Sequence, residues 1–127
     1  MTACEMMEAL GLPANEEAAR KLTEYNAMVI AMSGKVNLTG IKDVEESLIK
    51  NVYDSLTVYD EKYFPEKGRV LDLGTGAGFP GVPLAILRPD MQFLLVDSIR
   101  KKLAFIEGAC ADLGIKNVKC LHIRAEE

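Results

Sequence analysis

The first half of the chain carries apolar residues at helical spacing. Positions 18, 22, 25, 28, 29 and 32 are apolar and step by three and four, which predicts one buried face of a helix beginning after the N-cap Asn15 and ending at Ser33-Gly34. A shorter helix is predicted from Ala3 to Leu10. Asp43 is expected to cap a third helix, whose apolar stripe comprises Leu48, Ile49, Val52, Tyr53, Leu56 and Tyr59.

The second half alternates between strand and helix. Apolar runs of strand length occupy residues 69–73, 92–96 and 118–123, and helices are predicted over 82–87 and from about 99 to 113. Ser98 is expected to cap the second of these helices, and Gly114 to end it. This order predicts parallel strands with right-handed crossovers. We therefore divide the chain into a helical cap, residues 1–67, and an α/β part, residues 68–127.

Composition narrows the possible classes of protein. The chain has 127 residues, the size of one modest domain, and its net charge of −4 argues against a simple non-specific nucleic-acid binder. No apolar run approaches the roughly 18 residues needed to cross a bilayer, and the N-terminus lacks the pattern of a secretory signal, so we expect a cytoplasmic protein without membrane association.

The cysteines and the histidine do not form a metal-binding pattern. The cysteines Cys4, Cys110 and Cys120 are odd in number and lack C-x-x-C spacing, and His122 is the single histidine. Neither a disulfide framework nor a zinc site is expected from these residues, and we predict no metal.

The segment with chemical content is a glycine-rich loop between the first strand and the helix that follows it. It reads Asp-Leu-Gly-Thr-Gly-Ala-Gly-Phe-Pro-Gly over residues 72–81, with glycines at Gly74, Gly76 and Gly78. Glycines permit a tight turn and let a ligand approach the backbone closely. A strand before the loop and a helix after it are the context that a cofactor-binding loop requires.

The loop distinguishes two cofactor classes. Dinucleotide enzymes use G-x-G-x-x-G, whereas here the spacing is G-x-G-x-G and residue 79 is Phe. Asp72, two residues before the first glycine, would repel a pyrophosphate but attract the sulfonium and ammonium of S-adenosylmethionine. Asp97, at the end of the second strand, can accept hydrogen bonds from ribose hydroxyls in either class. Together, the loop and both acids favour S-adenosylmethionine.

A set of motifs then resembles a known family. Asn37-Leu-Thr39, Asp54-Ser55, the loop of residues 72–81, Val96-Asp97-Ser98 and Arg124-Ala-Glu126 occur in this order. Together they closely resemble the bacterial ribosomal RNA small subunit methyltransferase G family, also called glucose-inhibited division protein B. The resemblance covers about residues 15–127, and the Gly-Phe-Pro-Gly and Asn-Leu-Thr segments are its most specific parts.

The resemblance implies a fold and an activity. The fold would be the N-terminal half of the class I S-adenosylmethionine-dependent methyltransferase (Rossmann-like) fold, with the helical cap beside the sheet. The activity would be methylation of a guanine at N7 in small-subunit ribosomal RNA. Gly74 and Phe79 would contact the cofactor, Asp97 would hold its ribose, and Ala125 and Glu126 would lie at its adenine. Guanine N7 carries a lone pair and no proton, so we expect no catalytic acid or base.

Two departures from the family pattern affect these expectations. Asn51 stands where the family usually has a histidine, so the resemblance implies no role of that position in RNA contact or catalysis. Only three strands of the family's larger sheet are predicted here, which indicates a fragment. An exposed edge of the first strand would then favour self-association or incomplete stability.

Three other functions stay open at this point. The chain could bind the cofactor without activity, because part of the site is absent. It could belong to a small-molecule methyltransferase, although the Asn-Leu-Thr and Gly-Phe-Pro-Gly segments argue against that. The glycine spacing and Asp72 argue against a dinucleotide oxidoreductase.

Overall fold

The helical half folds largely as the sequence predicts. In a computed structural model, which describes residues 1–13 and 15–124, α1 spans Ala3–Ala9 and α2 spans Glu16–Met32. The Asn15 side chain accepts a hydrogen bond from the Ala18 N–H at 3.0 Å, so the predicted N-cap of α2 is confirmed. The buried side of α2 includes Leu22, Tyr25 and Val29.

The third helix contains a feature that the apolar pattern does not predict. It begins as α3, Val44–Ser47, and ends as α4, Asp54–Thr57, and between them Leu48–Tyr53 forms a π-helical segment. The Asp43 side chain caps α3 as predicted, accepting from the Glu46 N–H at 3.3 Å. The predicted stripe is too wide, because Ile49 is 50% exposed.

The second half forms the predicted parallel sheet. The strands are β1, Arg69–Leu73, β2, Gln92–Asp97, and β3, Val118–His122, in the order β1-β2-β3. Both pairings are parallel. The connecting helices are α5, Gly81–Leu87, and α6, Arg100–Leu113. Gly114 ends α6 in the left-handed conformation, at φ 71°, as predicted.

One helix terminus differs from the prediction. The N-cap of α6 is Ile99, and no side chain caps the helix. The expected cap at Ser98 is therefore wrong. Asp97 instead accepts a hydrogen bond from the Ile99 N–H at 3.0 Å, which shortens the helix by one residue at its start.

The two faces of the sheet differ in burial. Both crossovers step in the same direction across the sheet, so right-handed connections place α5 and α6 on one face. Phe93 and Leu95 point to that face and are buried. On the opposite face, Leu71 is 57% exposed and Leu73 is 71% exposed. Because α2 also packs on α5 and α6, the helical half and the covered face share one hydrophobic core.

Candidate functional site

The glycine-rich loop lies at the carboxyl ends of the strands, between β1 and α5. The N–H groups of Gly74 and Thr75 both donate to the Val96 carbonyl, at 2.8 and 3.0 Å, so the loop bends across the end of β2. Ligands of open parallel sheets bind at this edge. The loop is therefore in the position that a cofactor site of this class requires.

The three predicted glycines are required for two different reasons. Gly74 and Gly76 have φ values of +69° and +59°, and an added Cβ at either would meet no atom within 4 Å. Their backbone is left-handed and their surface is open to a ligand. Gly78 has φ +90°, but a Cβ there would collide with the Tyr25 hydroxyl and lie 2.8 Å from Val82 Cγ2. Gly78 is therefore required by packing as well as by backbone conformation.

Asp72 lies beneath the loop and holds it to α5. Its Oδ2 accepts a hydrogen bond from Thr75 Oγ1 at 2.8 Å and another from the Gly81 N–H at 3.1 Å. Partial burial raises the pKa of Asp72, and these two hydrogen bonds oppose that rise. Gly81 lacks a side chain because a Cβ would lie 2.8 Å from Asp72 Oδ2. Asp72 therefore organises the loop and the start of α5, whatever it contributes to a ligand.

Asp97 is brought against the same loop from the end of β2. Its Oδ2 accepts from the Gly76 N–H at 2.8 Å, and its Oδ1 accepts from the Ile99 N–H. The side chain is partly exposed. Each carboxylate oxygen can accept more than one hydrogen bond, so both remain able to accept from ligand hydroxyl groups. The two backbone amides therefore fix the position of an acceptor pair beside the open glycines.

Tyr25 is a site residue that the sequence analysis placed only in the core stripe of α2. It is 1% exposed, and its hydroxyl donates to the Ala77 carbonyl at 2.6 Å. Burial raises the pKa of Tyr25 well above its usual value, so the phenol stays neutral. Its ring also meets Phe79 edge-to-face, with centroids 5.9 Å apart. Helix α2 thereby fixes the inner side of the loop.

The remaining predicted site residues are Phe79, Ala125 and Glu126. Phe79 is half-buried against Tyr25 at the end of the loop, beside Pro80. Ala125 and Glu126 lie outside the described residues. Asn51, the position that departs from the family pattern, lies near Phe79 in a cleft between the π-helical segment and the loop.

Other chemistries find little support in the structure. Burial raises the pKa of Cys110 to about 12, which keeps this thiol protonated and unreactive. No group of three or more potential metal ligands occurs among the described residues. Within residues 1–13 and 15–124, no helix is both long and apolar enough to span a membrane.

A cavity of about 970 Å³, lined in part by Pro65 and Arg88, lies away from the glycine loop, at the end of the sheet where the strands begin.

Comparison with known proteins agrees with this geometry. Residues 18–127 match the family model described as rRNA small subunit methyltransferase G. The chain belongs to this family. It is 45% identical over 119 residues to the ribosomal RNA small subunit methyltransferase G of Hydrogenovibrio crunogenus, covering 94% of this chain and 54% of that protein.

A second relative of this chain gives the same result. The Alkaliphilus oremlandii member of the family is 37% identical over 123 residues, which are 97% of this chain and 52% of that protein. The chain thus spans about half the length of the curated relatives it matches.

A SAM-dependent methyltransferase from Aquifex aeolicus matches at TM-score 0.51 with 28% identity, over 62% of this chain and 42% of that one. A putative O-methyltransferase from Klebsiella pneumoniae matches at TM-score 0.52 with 19% identity, over 96% and 49%, and supports the fold alone. The predicted Rossmann-like methyltransferase fold is confirmed for the part present.

Proposed function

We propose that this chain supplies the S-adenosylmethionine-binding half of an enzyme that methylates guanine N7 in small-subunit ribosomal RNA. The observation that supports this cofactor is the position of Asp97 beside Gly74 and Gly76. The Gly76 and Ile99 amides hold the Asp97 carboxylate in place, and a Cβ added at either glycine would contact no atom within 4 Å. That arrangement suits a ribose lying against backbone.

Charge supports a cationic cofactor over a dinucleotide. Burial is the main cause that raises the pKa of Asp72, and the nearby charge of Asp97 adds to it, which shows that the two carboxylates are close. Two carboxylates at one loop favour a sulfonium and an ammonium, and disfavour a pyrophosphate. The described site residues therefore fit S-adenosylmethionine, which supplies an electrophilic methyl group when bound.

The proposed roles follow from the contacts of each residue. Asp97 accepts from the ribose hydroxyls, Gly74 and Gly76 let the cofactor approach the backbone, and Phe79 closes one end of the site. Asp72 keeps the loop in place and contributes negative charge. Ala125 and Glu126 are proposed at the adenine from the family resemblance. The division into a cap over 1–67 and an α/β part over 68–127 stays a proposal, and Tyr25 links the two parts.

The proposed reaction needs positioning rather than proton transfer. Guanine N7 presents an in-plane lone pair and has no proton to remove, so orientation and electrostatics can supply most of the catalysis. We therefore assign no catalytic residue and no metal. Ribosomal RNA as the substrate also implies a cytoplasmic location. Binding without activity, and a small-molecule substrate, are the alternatives to this assignment.

Calorimetric titration with S-adenosylmethionine, with NAD as the control ligand, tests the cofactor. We expect the 127-residue chain to bind the first and not the second. A folded chain that prefers NAD, or binds neither, would contradict the proposal that it holds a usable S-adenosylmethionine site. Transfer of labelled methyl groups to small ribosomal subunits then separates an active chain from one that only binds cofactor.

We also propose that the chain self-associates through β1. This strand is at an edge of the sheet, and two of its own residues, Leu71 and Leu73, are exposed on the uncovered face. An open edge with apolar side chains is a template for pairing with another copy. Sedimentation velocity at micromolar concentration should show association that Leu73→Lys weakens. Ile49→Lys, at an exposed apolar position on the π-helical segment, is the matched control, and a monomer in all three proteins would contradict the proposal.

A further inference from the structure

A second cleft adjoins the glycine loop and, among the described residues, shares only Phe79 with the proposed cofactor contacts. It is a cavity of about 220 Å³ between the π-helical segment, α4 and the end of the loop. Its lining includes Asn51, Asp54, Ser55, Phe79 and Pro80. Pockets for whole drug-sized ligands measure about 300–1,000 Å³, so this cleft suits a single flat group. π-Helical segments are frequent at functional sites.

A hydrogen-bond chain fixes which atom Asn51 offers to the cleft. The buried Ser47 hydroxyl donates its one hydrogen to Asn26 Oδ1 at 2.6 Å, while Asn26 Nδ2 donates to the Val44 carbonyl. Ser47 Oγ can then only accept from Asn51, and Asn51 Nδ2 donates to it at 3.0 Å. The amide oxygen of Asn51 is therefore the atom left to accept from a ligand.

Asp54 adds a second acceptor one helical turn further on. It is exposed, and its carboxylate has no hydrogen-bond or ion-pair partner within residues 1–13 and 15–124. Ser55 Oγ is occupied, since it donates to the Asn51 carbonyl at 2.6 Å. The cleft thus presents two acceptors, and among these three side chains the second N–H of Asn51 Nδ2 is the one remaining donor. Phe79 presents a partly exposed aromatic ring on the opposite wall.

This pattern of groups selects among nucleobases. The Watson–Crick edge of guanine carries two adjacent donors, N1–H and the N2 amino group, which match a carboxylate. Adenine presents an acceptor at N1, and its lone pair would face the same carboxylate unfavourably. Enzymes that modify a base read its Watson–Crick edge by hydrogen bonds and hold its faces by aromatic or apolar contact. Guanine N7 lies on the side of the purine away from N1 and N2.

We propose that the Asn51–Asp54–Phe79 cleft holds the target guanine, with Asp54 accepting from N1–H and the N2 amino group. The assignment rests on the proposed function, to which it adds the residues that select the base. Held in this way, the base leaves N7 free of contact with Asp54. Lys50, which also lines the cleft and is ion-paired with Glu46 at 3.0 Å, is placed to meet a phosphate.

Titrations of the chain with guanosine 5′-monophosphate and adenosine 5′-monophosphate, followed by NMR, test this assignment. We expect the guanine nucleotide to bind more tightly, and Asp54→Asn to reduce that preference about tenfold, the usual worth of one bidentate base contact. Glu45→Gln, which removes an exposed acid of the same helix outside the cleft, should keep the preference. Phe79→Leu should weaken both nucleotides together, because stacking does not depend on base identity.

The outcomes separate this inference from the cofactor proposal. The nucleotides are titrated without cofactor, and S-adenosylmethionine is titrated separately. A chain that binds S-adenosylmethionine but shows equal affinity for the two nucleotides, or binds neither, overturns the guanine cleft alone. An unchanged preference in Asp54→Asn also overturns it. Failure to bind S-adenosylmethionine counts against the cofactor proposal, while a guanine preference lost in Asp54→Asn still supports the cleft.

Discussion

Toward α2 and α5, the glycine loop is packed against side chains, whereas the Cβ positions of Gly74 and Gly76 face open space. The inner side, formed by Asp72, Thr75, Gly78 and Gly81 against Tyr25, has its polar atoms paired within the protein. The outer side carries Asp97 and the open glycines. A single loop thus divides its glycines between packing and ligand access. Substitutions on the inner side should cost stability first, and those on the outer side should cost affinity first.

The largest effect is expected for Gly78→Ala. The new Cβ would collide with the Tyr25 hydroxyl and crowd Val82 at φ +90°, so we expect a loss of about 2–4 kcal/mol in the free energy of unfolding. Urea denaturation measures it. Gly108→Ala, in the exposed middle of α6 with no atom within 4 Å of its Cβ, should instead stabilise by about 0.5–1 kcal/mol. Equal effects at the two positions would contradict the packed inner side.

Two substitutions of Asp72 separate its structural role in the loop from the effect of its negative charge. Asp72→Ala leaves the Thr75 hydroxyl and the Gly81 N–H without their acceptor, and should cost about 2–3 kcal/mol of stability. Asp72→Asn keeps an acceptor oxygen, so it should retain most stability but weaken S-adenosylmethionine binding by about 1–3 kcal/mol. Unchanged affinity in Asp72→Asn would mean that the carboxylate serves the loop alone.

The same residue predicts a dependence of stability on pH. Because burial raises the pKa of Asp72, the folded carboxyl holds its proton more tightly than the unfolded one. Its contribution to stability is present below the unfolded pKa and is lost as pH rises through the folded pKa. Asp72→Asn should remove that part of the pH profile of unfolding, and a profile identical to that of the parent chain would contradict the assignment.

Tyr25→Phe should have a smaller effect on the inner side. The ring and its contact with Phe79 remain, but the buried Ala77 carbonyl loses its donor, which should cost about 1–2 kcal/mol. Thermal or urea unfolding measures the loss, and the S-adenosylmethionine titration reports whether the loop loosens. Tyr63→Phe, at an exposed tyrosine, is the control and should change neither quantity.

The smallest effect on stability, with a clear effect on binding, is expected for Asp97→Asn. One acceptor oxygen is retained, and the backbone N–H that loses its acceptor, of Gly76 or Ile99, is at a position that is not buried, so unfolding should change by about 1 kcal/mol or less. S-adenosylmethionine affinity should fall by about tenfold, as for a lost charge-assisted hydrogen bond. Asp112→Asn removes an exposed acid of α6 and should leave both unchanged. A large stability loss with normal affinity in Asp97→Asn would contradict the assignment of Asp97 to the outer, ligand-binding side of the loop.

The sequence predicted those parts of the fold and the site that depend on local chemistry. The strands follow from apolar runs, the caps at Asn15 and Asp43 from side chains that bond within one turn, and the loop from its glycines. The Ser98 cap failed because the neighbouring Asp97 accepts from the Ile99 N–H. The sequence analysis assigned Asp97 to a ligand, and its bonds to the Gly76 and Ile99 amides depend on the three-dimensional arrangement.

The features that the sequence did not predict depend on contacts between residues far apart in the chain. The Tyr25 hydroxyl bonds a carbonyl 52 residues away, and its apolar ring gives the same helical periodicity whether or not that bond exists. The π-helical segment is defined by backbone hydrogen bonds, which leave no mark on the spacing of Leu48, Val52 and Leu56. The Asp54 cleft likewise requires two distant segments to meet.

The buried chain from Asn26 through Ser47 to Asn51 has a consequence for how this sequence can vary. Replacing one member alone leaves a partner side chain without its hydrogen bond. Replacing all three together by apolar groups of matching shape removes that cost and leaves only the Val44 carbonyl without its donor. Replacing these side chains one at a time by apolar residues therefore passes through variants of lower stability. We expect these positions to change in concert, as a linked set, rather than one at a time.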